Sequence, residues 1–233
     1  MTTHAKSIAT HLTQVRQQIA EAAARTNRTP ESIALLAVSK TKPVSDIRAA
    51  YEYGQRLFGE NYVQEGVEKI QQCQDLPDIQ WHFIGPIQSN KTKDIAAHFA
   101  WVHSIDREKI ARRLNDQRPS HMDPLQILIQ VNIDDEASKA GVSLQDVPQL
   151  AEFIADCPNL RLRGLMAIPQ ANSSEEEQIK SFSALEAAFL ELQQGDPNVD
   201  TLSLGMSNDL SLAIRFGSTM VRVGTAIFGT RER

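Results

Sequence analysis

Eight short apolar runs, each separated from the next by enough chain for a helix, constrain this sequence more than any other feature. They are LLAVS (35–39), QRLFG (55–59), IQWHFIG (79–85), AWVHSI (100–105), LQILIQVN (125–132), LRLRGLMAI (160–168), TLSLGM (201–206) and TMVRVG (219–224). Several are apolar on both faces, as parallel strands covered by helices are. The gaps carry helical signals. VSDIRAAYEY (44–53) stops at Gly54, residues 62–72 hold Val63, Val67 and Ile70 at helical spacing, and the helix over 208–216 stops at Gly217. Ser173 and Ser174, each followed three residues later by a glutamate, offer two registers of a capping box before a helix at about 175–194. Ile8, Leu12, Val15 and Ile19 predict one further helix over 4–26, ahead of the first strand.

Eight strand–helix units in 233 residues predict an α/β fold, a single (β/α)8 barrel preceded by an N-terminal helix. The alternative is an open doubly wound sheet. That fold would want a glycine-rich turn after its first strand, and VSKTKP (38–43) is not one. With no repeat, linker or low-complexity tract, one domain over 1–233 is expected. A net charge of −5 argues against a general nucleic-acid or anionic-membrane binder, so an anionic ligand must be held locally. No apolar stretch is long enough to span a bilayer and the start lacks a signal-peptide core, so a cytoplasmic location is expected. Cys73 and Cys157 have no C-x-x-C spacing, and no metal site is expected.

In a barrel the chemistry sits where strands end at their C-terminal side. Those ends read Lys40, Glu60 and Asn61, Gly85, His103 to Asp106, Asn132, Ala167, Ser207, and Gly224 with Thr225. Phosphate is often held after strands seven and eight; here these loops are GMSND and RVGTA, with hydroxyls at Ser207 and Thr225 and a bare backbone at Gly224. Arg222 lies inside the last strand between valines, so it either makes a salt bridge in the barrel mouth, with Glu60 or Asp106, or touches a ligand. Alternation puts Leu36, Val38 and Lys40 on one face. If that face is the lumen, the amine is partly desolvated and close to Arg222, and both effects favour its neutral, nucleophilic form. A lysine, a phosphate loop and an arginine for a ring nitrogen together describe a site for pyridoxal phosphate. His82, His103 and Lys139 read first as packed or surface residues with their roles open, and Asn132 to Glu136 reads as a solvated turn.

The motifs LLAVSKTKP, FGENYVQE, WHFIGPIQSNK, VNIDDEASKAG, RGLMAIP, LSLGMSND and VRVGTAIFG resemble the pyridoxal phosphate homeostasis proteins, called YggS in bacteria and PROSC in animals. The likeness runs from about residue 34 to 229, with Ile87 standing where the pattern prefers leucine. It implies a barrel similar to the N-terminal domain of alanine racemase. In that barrel Lys40 forms a Schiff base with pyridoxal 5′-phosphate, Ser207, Gly224 and Thr225 hold its phosphate, Arg222 faces the pyridine nitrogen, and Asn61 and Met206 line the pocket. The implied function is cofactor homeostasis without an established reaction, with no catalytic residue assigned and cofactor-dependent apo-enzymes as candidate recipients. A monomer or weak dimer is expected. The alternative is an amino-acid racemase or decarboxylase on the same barrel. Racemases add a β-domain with an opposing tyrosine; this chain ends at Arg233, and Tyr62 is the one nearby candidate for a second base.

Overall fold

The computed structural model describes residues 2–134 and 140–230. Helix α1 (Thr3–Arg25) starts where the Thr2 hydroxyl accepts the Ala5 amide, and it buries Ile8, Leu12, Val15 and Ile19. The eight strands are β1 (Ala34–Val38), β2 (Leu57–Glu60), β3 (Gln80–Phe83), β4 (Trp101–Ile105), β5 (Leu125–Val131), β6 (Leu160–Ala167), β7 (Thr201–Ser203) and β8 (Met220–Val223). Between and after them lie α2 (Val44–Glu52), α3 (Val63–Gln72), α4 (Thr92–His98), α5 (Glu108–Gln117), α6 (Val147–Ala155), α7 (Glu175–Gly195), α8 (Leu210–Arg215) and α9 (Thr225–Phe228). Neighbours pair in parallel and in chain order, and β1 pairs with β8 through Leu36 and Arg222, which closes the barrel and excludes the open sheet.

Alternation along the strands sorts side chains into two layers. Leu35, Ala37, Phe58, Phe83 and Val102 pack outward with helix residues such as Ile47, Ile95 and Phe182 in one large core. Leu36, Ile84 and Met220, and separately Trp101, Leu128 and Met166, fill the lumen. The capping box before α7 takes the register Ser174–Glu177, whose side chains bond each other's backbone amides. Glycines with φ +87, Gly54 and Gly217, follow α2 and α8. Both cysteines are buried and unpaired.

Two strands carry bulges. On β4 the register slips between Val102 and Ile105, and on β6 it slips opposite Ile127 and Leu128. A bulge re-aims the side chains beside it, and the β4 bulge contains His103 and Ser104.

Candidate functional site

A cleft of about 710 Å³ opens at the C-terminal end of the barrel, within the range of small-molecule sites. All seven residues singled out in the sequence line it: Lys40 after β1, Asn61 after β2, Met206 and Ser207 after β7, Arg222 on β8, and Gly224 and Thr225 after it. Val38, Ile84, Ile168, Asn208 and Ala226 complete the wall. The exposed apolar side chains of Ile168 and Met206 form part of its rim.

Lys40 sits half-buried in a tight turn closed by Lys42 N–H donating to Ser39 O at 3.0 Å. Thr41 adopts φ +63, a conformation that a β-branched residue resists, so the surroundings must hold it. They do so from outside the barrel. The Thr41 amide donates to Glu65 Oε1 at 2.6 Å, and the Ser39 hydroxyl donates to Glu60 Oε1 at 2.7 Å. Lys69 Nζ on α3 then joins Glu60 Oε1 (2.7 Å), Glu65 Oε1 (2.7 Å) and Ser39 O (2.6 Å). Burial pushes the Glu60 carboxyl up, against the opposing pull of Lys69 and Ser39. Of this cluster the sequence singles out Glu60 alone, not Glu65 or Lys69. The cluster's signal was Lys69 lying on the face of α3 that also turns Gly66 inward.

Arg222 makes neither of the salt bridges weighed for it. Glu60 belongs to Lys69, and Asp106 accepts from the Gly141 amide and Arg107. Instead Arg222 Nη1 donates to Ser203 Oγ at 2.6 Å and Nη2 to Ala167 O at 2.8 Å. Its other N–H groups meet no acceptor among the described residues, and the residue lines the cleft. A buried guanidinium with donors to spare is a seat for an acceptor on a ligand.

The two loops opposite are built for an anion. Gly205 has φ +103, and a Cβ there would come within 2.7 Å of Ala213 Cβ, so only glycine lets β7 turn so sharply into α8. Asp209 Oδ1 accepts the Met206 amide at 2.6 Å and fixes the turn. The amides of Ser207, Asn208, Thr225 and Ala226, all on the cleft wall, donate to no acceptor among the described residues. A Cβ on Gly224 would lie 3.2 Å from Val38 O, so a larger residue would crowd the wall. On the far side, Asn61 Oδ1 is buried without a partner among the described residues. These residues fit pyridoxal phosphate: donors for a phosphate, a cation edge for a ring nitrogen and an amine for an aldehyde.

Of the remaining candidates, His82 and His103 are fully buried in the lumen, and Tyr62 is 52% exposed and absent from the cleft wall. Among the described residues no group of histidine, cysteine and carboxylates could hold a metal ion. Lys139, Asp135 and Glu136 lie outside the described residues, while Asp134 accepts the Gln170 amide at 2.7 Å.

The family model of the alanine racemase N-terminal domain matches residues 10–232. A relative named pyridoxal phosphate homeostasis protein, from Escherichia coli K12, is 56% identical over 97% of both chains, and another of that name from Vibrio alginolyticus is 56% identical over 97% of this chain and 98% of its own. The structure of PipY from Synechococcus elongatus with PLP bound superposes with a TM-score of 0.83 at 36% identity, covering 95% of this chain and all of that one. An alanine racemase from Corynebacterium glutamicum shares the fold alone: TM-score 0.73, 16% identity, 97% of this chain but 62% of the racemase.

Proposed function

The chain belongs to the pyridoxal phosphate homeostasis proteins, a family built on the alanine racemase N-terminal domain, and from that premise we propose that it holds pyridoxal 5′-phosphate for cofactor homeostasis without turning over amino acids. The observation that carries this reading is the gathering of Lys40, Asn61, Met206, Ser207, Arg222, Gly224 and Thr225 around one cleft.

When bound, the cofactor supplies an aldehyde for a lysine amine and a ring that can withdraw electrons. Each residue then has a task. Ser207 and Thr225, with the free amides of their loops, hold the phosphate, and Gly224 lets the backbone come close. Lys40 offers its amine from a turn clamped on both sides. Arg222 donates to the ring nitrogen; burial pushes its pKa down to about 10, which leaves it charged at neutral pH. A guanidinium that keeps its proton leaves the ring nitrogen an acceptor only, and such a ring withdraws electrons weakly. Racemisation also needs a base on each face of the α-carbon, and Tyr62 is off the cleft wall. Both features favour a holder over a racemase or decarboxylase.

One domain over 1–233, a cytoplasmic location and apo-enzymes as recipients complete the proposal; no helix among the described residues is long and apolar enough to cross a membrane. The test is borohydride reduction of the protein with pyridoxal phosphate, followed by peptide mapping. The label is expected on Lys40, and a label confined to other lysines would refute the assignment. Assays over L- and D-amino acids check the second half: turnover of about 1–10³ s⁻¹ that disappears in Lys40→Ala would make this an enzyme.

A further inference from the structure

Beneath the cleft the lumen holds a line of polar side chains leading away from Arg222, and beyond Arg222 the proposed function uses none of them. Arg222 Nη1 donates to Ser203 Oγ (2.6 Å), Ser203 Oγ meets His103 Nδ1 (3.0 Å), and His103 Nε2 meets His82 Nδ1 (2.8 Å). The line crosses the barrel through β8, β7, β4 and β3, and Ser203, His103 and His82 are all 0% exposed. Alternation places His103 in it, two residues after the lumen residue Trp101 and just inside the β4 bulge. At its end His82 stacks on Trp101 at 5.1 Å, and the Arg163 guanidinium lies 4.7 Å from the same indole. Buried polar groups of this kind are costly unless each is satisfied.

Counting protons gives the line a direction. Burial pushes His82 down to about 3 and His103 well below its usual value, so both imidazoles are neutral and each carries one N–H. Suppose His103 carries its proton on Nε2. It donates to His82 Nδ1, its Nδ1 lone pair takes the Ser203 hydroxyl proton, and the Ser203 oxygen accepts from Arg222. The single unmet group is His82 Nε2, which is the buried ring nitrogen without a partner among the described residues. Suppose instead that His82 donates to His103. Then His103 Nδ1–H and Arg222 both donate to Ser203, whose own proton meets no acceptor among the described residues, and His82 Nε2 is still unmet. The first arrangement leaves one group unsatisfied and the second leaves two. In the first, a serine that donates onward is also a stronger acceptor for Arg222.

We propose that Ser203, His103 and His82 are positioning residues for Arg222, a one-way hydrogen-bond line running from the guanidinium to His82 that fixes the donor edge presented to the ring nitrogen of the ligand. The ligand part of this inference rests on the proposed function. The direction of the line does not.

Two measurements test it. The first uses the protein without cofactor, labelled with ¹⁵N-histidine. Nitrogen shifts should show His103 protonated at Nε2 with a bare Nδ1, and His82 protonated at Nε2. A proton on His103 Nδ1 would overturn the direction. The second compares pyridoxal phosphate with its 1-deaza analogue, which keeps aldehyde and phosphate but lacks the ring nitrogen. The unmodified protein should prefer pyridoxal phosphate by about ten- to a hundredfold, the range for a hydrogen bond from a charged donor. In Ser203→Ala and His103→Phe that preference should fall toward parity, while His103→Gln, which has one acceptor and one donor, should keep most of it. A full preference retained in folded His103→Phe would remove the line from this role. Equal binding of the two ligands by the unmodified protein would refute Arg222 as the ring-nitrogen contact, which is the proposed function, and the role of the line toward the ligand with it; the nitrogen shifts would still decide its direction.

Discussion

Replacing Lys69 by methionine tests whether the turn that carries Lys40 is held from outside the barrel. The substitution keeps the length and apolar stem of the side chain and removes an ammonium group bonded to Glu60, Glu65 and Ser39 O at 2.6–2.7 Å. Glu60 is 0% exposed, so it would keep a buried carboxylate with only the Ser39 hydroxyl as partner. Breaking a buried pair in this way costs about 3–5 kcal/mol. For a chain of this size each kcal/mol lowers Tm by about 2–4 °C, so thermal unfolding at neutral pH should come about 6–20 °C earlier. A carboxyl whose pKa is raised by folding contributes stability that is complete below its usual value of 4.5 and lost as the pH rises through the raised value. Without the ammonium the raise is larger. The variant's deficit should therefore be greatest at neutral pH and shrink on acidification, and Glu60→Gln added to Lys69→Met should recover most of it. Calorimetry across the pH range reads both effects. A drop in Tm below about 2 °C, or a double variant no better than the single one, would refute the argument.

The other expectations are narrower. Lys40→Ala should lose the visible absorbance of lysine-linked cofactor while keeping its Tm, because the side chain stands on the cleft wall and not in the core; absorption spectra and calorimetry check this. Ser207→Ala and Thr225→Val should each weaken pyridoxal phosphate binding by about ten- to a hundredfold and pyridoxal binding far less, as titration of both ligands would show. Gly85→Ala should weaken binding from a distance, since its Cβ would fall 2.1 Å from Asn61 O and push a cleft residue aside; unchanged affinity in a folded variant would contradict it.

The order and closure of the barrel were legible because eight apolar runs had helix-length gaps, and alternation alone put Leu36 and Lys40 on the face that proves to be the lumen. The ends of elements were less so. The seventh run reads as continuing to Met206, but β7 stops at Ser203 because Gly205 turns the chain at φ +103. The helix expected from residue 208 begins at Leu210, since Asp209 is occupied in the turn. The partner of Arg222 was misjudged although alternation contained the answer. On β2, Glu60 shares the outward side of Phe58, whereas Arg222 on β8 shares the inward side of Met220, so the barrel wall separates the two charges. His103 follows the same rule, two residues after Trp101 on the inward side of β4; what alternation could not show is Ile105, which the bulge returns to the outer core.

The two basic residues of the cleft are anchored from opposite sides of that wall. The turn of Lys40 is held by Glu60, Glu65 and Lys69 in the helical layer, and Arg222 by Ser203, His103 and His82 in the lumen. Neither anchor is explained by stability. A buried ion pair can often be exchanged for well-packed apolar side chains at no loss, and a lumen filled by residues like Leu128 and Met166 would avoid burying two imidazoles and the unmet nitrogen of His82. What an apolar replacement could not do is hold an amine and a guanidinium in fixed positions before any ligand arrives. Fixed groups spare the ligand the entropy of ordering them, so affinity survives without contacts over a large area. A protein that keeps a small reactive aldehyde bound needs that economy more than it needs a more stable barrel.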